Sequence, residues 1–103
     1  MANSEPTREA VDSMPGPVLL EFGANWCPHC QAIQPELATL KSSHAEVRHV
    51  VVEDGPGLPL GRSFRVKLWP TLVFLNDGKV LKQLVRPGAE EMTEAFAELS
   101  SPG

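Results

Sequence analysis

Apolar and polar positions change rhythm several times along the chain, and each change marks an element. "TREAVDSM" (7–14) holds enough helix formers for a short helix, with Thr7 as its cap. "PVLLEF" (17–22) is a short apolar run behind turn residues and reads as a buried strand. In "QAIQPELATLKSS", Ala32, Ile33, Leu37 and Leu40 recur every three to four residues, so the stretch is helical, and Pro35 should kink that helix without ending it. "VRHVVVE" (47–53) is β-branched and predicts a second buried strand. The glycines and prolines of "DGPGLPLGRSF" make a loop, whose second half can form a short helix. "TLVFL" (71–75) and "KVLKQLV" (79–85) flank "NDG", the strongest turn signal present, and so predict an antiparallel hairpin with Val80, Leu81, Leu84 and Val85 as the apolar part of its second strand. "PG" (87–88) interrupts the chain, and "AEEMTEAFAEL" (89–99) is an amphipathic helix with Met92, Phe96 and Leu99 inward.

The order (α)βαβαββα implies an α/β domain with parallel crossovers between its first strands and an antiparallel edge at its end. Its 103 residues make one domain, 1–103, with residues 1–6 expected to be disordered. Apolar residues form 42% of the chain, which favours a packed core over disorder. The net charge of −4 is scattered and contains no basic run, so neither nucleic acid nor an anionic membrane is an expected partner. No apolar stretch is long enough to span a bilayer, and "MANSEPTREAVDSM" does not read as a secretory signal. A cytoplasmic monomer is the expectation.

The two cysteines, in "WCPHC" (26–30), are the only ones in the chain. In a reducing compartment such a pair points to catalysis or metal binding, not to a structural staple. Cys27 falls where the first strand gives way to the long helix, where unpaired N–H groups and the helix dipole stabilise a thiolate. Cys30 lies one turn further on the same side, close enough to close a disulfide. Cys27 can therefore attack a substrate disulfide and Cys30 resolve the mixed disulfide that results. His29 adds a donor or positive charge beside Cys27, which favours the dithiol and makes the couple more oxidising; attacking cysteines of such motifs have pKa values from about 7 down to about 3.5. Half of a zinc or copper site is the competing chemistry, which His29, His44 or His49 would have to complete. An inert buried pair is a further alternative. His44 and His49 are otherwise expected to sit at the surface or a strand edge without a role.

"VLLEFGANWCPHCQAIQPEL", "LWPTLVFLNDGKV" and "RPGAEEM" together resemble the thioredoxin family over residues 17 to 99. The resemblance implies a thioredoxin fold that serves as a thiol–disulfide oxidoreductase, with no cofactor beyond the cysteines. It makes Trp26, Pro28, Trp69, Pro70 and Gly88 the substrate-binding residues. Pro70 would be a cis-proline facing the cysteines, the Trp69 backbone would pair with the substrate chain, and Gly88 would let that chain approach. The Trp69 ring is expected near the active-site surface instead of in the core. Glu21, six residues before Cys27, would exchange a proton with Cys30; inside a buried strand its carboxyl is expected to be raised, which suits a base near neutrality. Partners would be protein disulfides, with thioredoxin reductase or glutathione as electron donor.

Three departures accompany the resemblance. "VVVED" lacks the lysine that family members often place near the buried acid, so Glu21 is expected to be protonated more easily. Pro-His replaces the usual Gly-Pro between the cysteines, as in oxidases of the DsbA type. The N-terminal region is short for the family's first strand, so a central mixed sheet of four strands is expected. Disulfide reduction is the favoured direction. A binding module or chaperone with little turnover, and a copper or zinc carrier, are the alternatives.

Overall fold

The structure, a computed structural model, describes residues 5–100. Of the six residues expected to be disordered, residues 1–4 lie outside the described residues. Glu5 and Pro6 are half-buried, and a Glu5 carboxylate oxygen accepts from the Leu60 N–H at 3.5 Å. The elements are α1 (Arg8–Asp12), β1 (Pro17–Gly23), α2 (Pro28–Ala32), α3 (Gln34–Ser43), β2 (Arg48–Glu53), α4 (Pro59–Ser63), β3 (Thr71–Asn76), β4 (Lys79–Val85) and α5 (Ala89–Ser100).

Among the described residues the strands form one mixed sheet of four, in the order β2-β1-β3-β4. β1 and β2 are parallel, as a crossover through α2 and α3 requires. The second expected crossover is absent: β3 runs antiparallel to β1, on the side away from β2. The five residues of α4 rise only about 7.5 Å, whereas a strand of six spans about 20 Å. The chain therefore does not travel back along the sheet, and β3 starts at the end where β2 finished.

The long helix expected after the cysteines is divided at Ile33 into α2 and α3. Pro35 lies in the first turn of α3, where its missing N–H costs least, and its ring excludes a normal approach to the Gln31 carbonyl. The break thus falls before the proline, and the hydrogen bond from Leu37 N–H to the Ile33 carbonyl (2.9 Å) resumes the ladder.

Both faces of the sheet are covered. Leu19, Leu72 and Phe74 meet Ile33, Leu37, Met92 and Phe96 beneath α3 and α5. Val18, Leu20, Phe22, Val73 and Leu75 meet Val11, Leu60 and Phe64 beneath α1 and α4. Burial on two sides is why β1 and β3 read as unbroken apolar runs. The outer strands differ from expectation. β2 is an edge strand in which only Val52 is fully buried and Val51 is 67% exposed. In β4 the register slips between Phe74 and Leu75, leaving Leu81 unopposed. Val80, Leu81 and Val85 face outward, and Leu84 alone of the expected set packs on the core.

Candidate active site

The first strand ends on Gly23, and four residues later the chain turns into α2 with Cys27 as its cap. Pro28 takes the first helical position, which needs no N–H. The Cys27 sulfur accepts the Cys30 backbone N–H at 3.2 Å. Both cysteines are free thiols and both are buried, while Pro28 and His29 between them are exposed.

The two thiols are displaced in opposite directions. Burial pushes the Cys27 thiol up. Hydrogen bonds from the Cys30 thiol and from the backbone N–H groups of Cys30 and His29, together with the charge of Arg86, outweigh that and leave its pKa lowered. Cys30 is pushed up to about 11, first by burial, then by the hydrogen bond to Cys27 and by the negative charges of Cys27 and Glu21. His29 therefore acts on the sulfur through its backbone N–H, and the side-chain charge at that sulfur is that of Arg86.

Gly23 supplies room for this arrangement. A Cβ built there would lie 2.7 Å from the Cys30 sulfur.

Glu21 is buried on β1, but its carboxyl is lowered, contrary to the expectation from its burial. Burial does raise it; hydrogen bonds from His49 and Gln34, with the charges of His49 and Lys41, more than offset that. Oε1 is 2.7 Å from His49 Nε2, and Oε2 accepts from Gln34 Nε2 at 2.7 Å. The same Gln34 nitrogen donates to the Cys30 carbonyl at 3.0 Å. The partner that "VVVED" does not supply is His49, one residue earlier, with Lys41 of α3 behind it. His49 is not an idle strand-edge residue. His44 ends α3 with Nδ1 2.9 Å from the Leu40 carbonyl oxygen and its ring against Phe96.

On the other side of the cysteines, Trp26 is 71% exposed and meets Trp69 edge-to-face, with ring centroids 5.5 Å apart. Trp69 is half-buried: one part packs on the core beneath α1 and α4, and its indole N–H donates to Asp54 Oδ2 at 3.0 Å. The Trp69–Pro70 peptide is cis. Arg86 follows β4 with φ +48°; its Nε donates to the Trp69 carbonyl at 2.8 Å and its backbone N–H to the Pro70 carbonyl at 2.9 Å. Gly88 donates its N–H to Glu91 ahead of α5, and a Cβ there would meet nothing within 4 Å. Arg86, Gly23 and Gln34 lie inside the stretches that resemble the family but no spacing marks a role for them, and Asp54 lies outside those stretches. Among the described residues, no three His, Cys, Asp or Glu side chains stand together as a metal-ligand group.

A family model described as thioredoxin matches residues 2–99. The structure of thioredoxin 2 from Pseudomonas aeruginosa PAO1 in its reduced form is 55% identical, with a TM-score of 0.84 over 95% of this chain and 92% of that one. Thioredoxin of Mycobacterium tuberculosis is 34% identical over 87 residues, 82% of this chain and 72% of its own length. "Thioredoxin Asp f 28" of Aspergillus fumigatus is 29% identical over 84% of this chain and 81% of its own. With its two cysteines side by side at the start of a helix beneath the end of β1, this chain belongs to the thioredoxin family and is a thiol–disulfide oxidoreductase.

Proposed function

We propose that the protein is a disulfide reductase in which Cys27 attacks and Cys30 resolves. The observation that carries the roles of the two cysteines is the opposite displacement of their thiols: Cys27 is lowered and Cys30 is held at about 11. The direction follows from the reducing poise of a cytoplasmic compartment. A thiolate forms first on Cys27, attacks one sulfur of a substrate disulfide and releases the other as a thiolate. Cys30 then gives up its proton and attacks the Cys27 sulfur of the mixed disulfide. That step frees the second substrate thiol and leaves Cys27–Cys30 oxidised.

Glu21 accepts the Cys30 proton. Its lowered carboxyl makes it a weaker base than burial alone would, yet it holds the base ionised when it is needed. Trp26, Pro28, Trp69, Pro70 and Gly88 line the groove for an extended stretch of a partner protein. Arg86 is the addition to that set: it bonds the Trp69 carbonyl that an incoming chain would use, and its charge reaches Cys27.

The protein works as a monomer in the cytoplasm, in cell redox homeostasis. Thioredoxin reductase or glutathione restores the dithiol. Equilibration of the pair in glutathione buffers tests the direction. A potential near about −270 mV fits a reductase, and one near about −120 to −180 mV fits an oxidase or isomerase and would overturn the assignment.

A further inference from the structure

Behind Cys30 lies an open cleft of about 420 Å³, lined by Glu21, Gln34, Lys41, His49 and Glu53 as well as by Cys30 itself. Neither Trp26 nor Trp69 lines it. Its most buried charged contact is the 2.7 Å pair of Glu21 Oε1 and His49 Nε2, with side chains only 8% and 12% exposed. Gln34 ties the other carboxylate oxygen to the carbonyl of Cys30. Glu21 on β1 and His49 on β2 thus stand hydrogen-bonded to each other in the open cleft that Cys30 also lines.

We propose that His49 is a positioning residue for the resolving step: it holds the Glu21 carboxylate towards Cys30 and carries the accepted proton out through the cleft. This rests on the reading of Glu21 as the acceptor. The Cys30 S–H gives its proton to Glu21. The carboxylic acid passes a proton to the imidazole, which becomes imidazolium and releases it to water. The Cys30 thiolate attacks the Cys27–substrate disulfide, and the substrate leaves as a thiolate. No oxidant or further reactant is required.

A histidine suits this place because imidazole exchanges protons near neutral pH, which an ammonium does not. The charged and titratable groups that share the cleft are Glu21 of β1, Cys30 of α2, Lys41 of α3 and Glu53 of β2. Lys41 reinforces the ionised carboxylate but makes no hydrogen bond to it among the described residues.

The experiment is rapid mixing of reduced protein with an aromatic disulfide whose thiol product is coloured. A first release, proportional to disulfide concentration, reports the Cys27 attack. A second, independent of it, reports resolution by Cys30. In His49→Gln the second phase should slow about a hundredfold at neutral pH, the low end of what a proton-transfer group contributes, because the accepted proton loses its exit, and its pH profile should move; the first phase should not change. His49→Lys serves if the Gln variant folds poorly. It keeps a donor to Glu21 but offers no group that takes the proton from it, so its second phase should also slow.

A wild-type second phase and profile in either variant, beside a slow second phase in Glu21→Gln, would overturn the role of His49 and leave that of Glu21 intact. A fast second phase in Glu21→Gln would overturn the reading of Glu21 itself. Equal slowing of both phases in the His49 variants would also overturn the inference, since it marks a general loss of structure.

Discussion

The two sides of the cysteine pair are built for different tasks. On the Cys27 side, backbone N–H groups and one arginine converge on a sulfur, and exposed aromatic surface surrounds it. On the Cys30 side, a carboxylate, a histidine and a glutamine line a cleft, and the sulfur keeps its proton. The residues are chemically identical and three apart. Their difference comes from position: Cys27 caps a helix, where donors are unpaired, whereas Cys30 lies inside it with its own N–H already spent on Cys27.

The largest expected effect breaks that division outright. Cys27→Ser should abolish exchange, seen as loss of insulin-disulfide reduction, while Cys30→Ser should still attack and accumulate mixed disulfides detectable by non-reducing electrophoresis. Steady turnover in Cys30→Ser would contradict the two-cysteine mechanism.

Next in size is Gly23→Ala. The new methyl meets the Cys30 sulfur and should cost about 1–3 kcal/mol in denaturant unfolding, the range for overpacking a close-packed site. An unchanged midpoint would show that the Cys30 side has slack.

Glu21 gives a pH signature on the same side. Its carboxyl is lowered in the fold, so its ionised form stabilises the native state. That contribution is complete above the unfolded value of 4.5 and is lost as pH falls through the lower folded value. The Glu21→Gln variant should therefore lose part of the wild type's stability fall in acid, read from unfolding midpoints between about pH 5 and pH 3.

Smaller effects belong to the Cys27 side. Arg86→Gln should raise the Cys27 thiolate titration by several tenths of a unit, roughly the effect of one partly screened charge. His29→Ala should move it less, because the backbone N–H remains. A larger shift from His29→Ala than from Arg86→Gln would reverse the assignment of the tuning charge.

How far the sequence could be read follows the same division. Cys27, Cys30 and the helix they start are local in the chain, and a strand followed by a cap is visible as a pattern. The hairpin at "NDG" was equally legible, because Asp77 and Gly78 adopt the positive φ that the turn demands. The Glu21–His49 pair spans 28 residues and depends on the parallel register of β1 with β2, in which His49 lies opposite Leu19. A one-residue change in register would have turned that imidazole to the other face, so the valines of β2 did not reveal which position faces the acid. Arg86 comes to Trp69 through a backbone kink after β4, which no periodicity announces. The direction of β3 is hidden for a different reason: it depends on the reach of the short α4.

The most direct test of the central claim is competition for a limiting alkylating agent by the reduced protein at neutral pH, with the modified residue located by mass spectrometry. The account predicts modification almost wholly at Cys27, falling as pH drops below its thiolate titration, with Cys30 untouched until strongly alkaline pH. Equal modification of the two cysteines, or preference for Cys30, would contradict it.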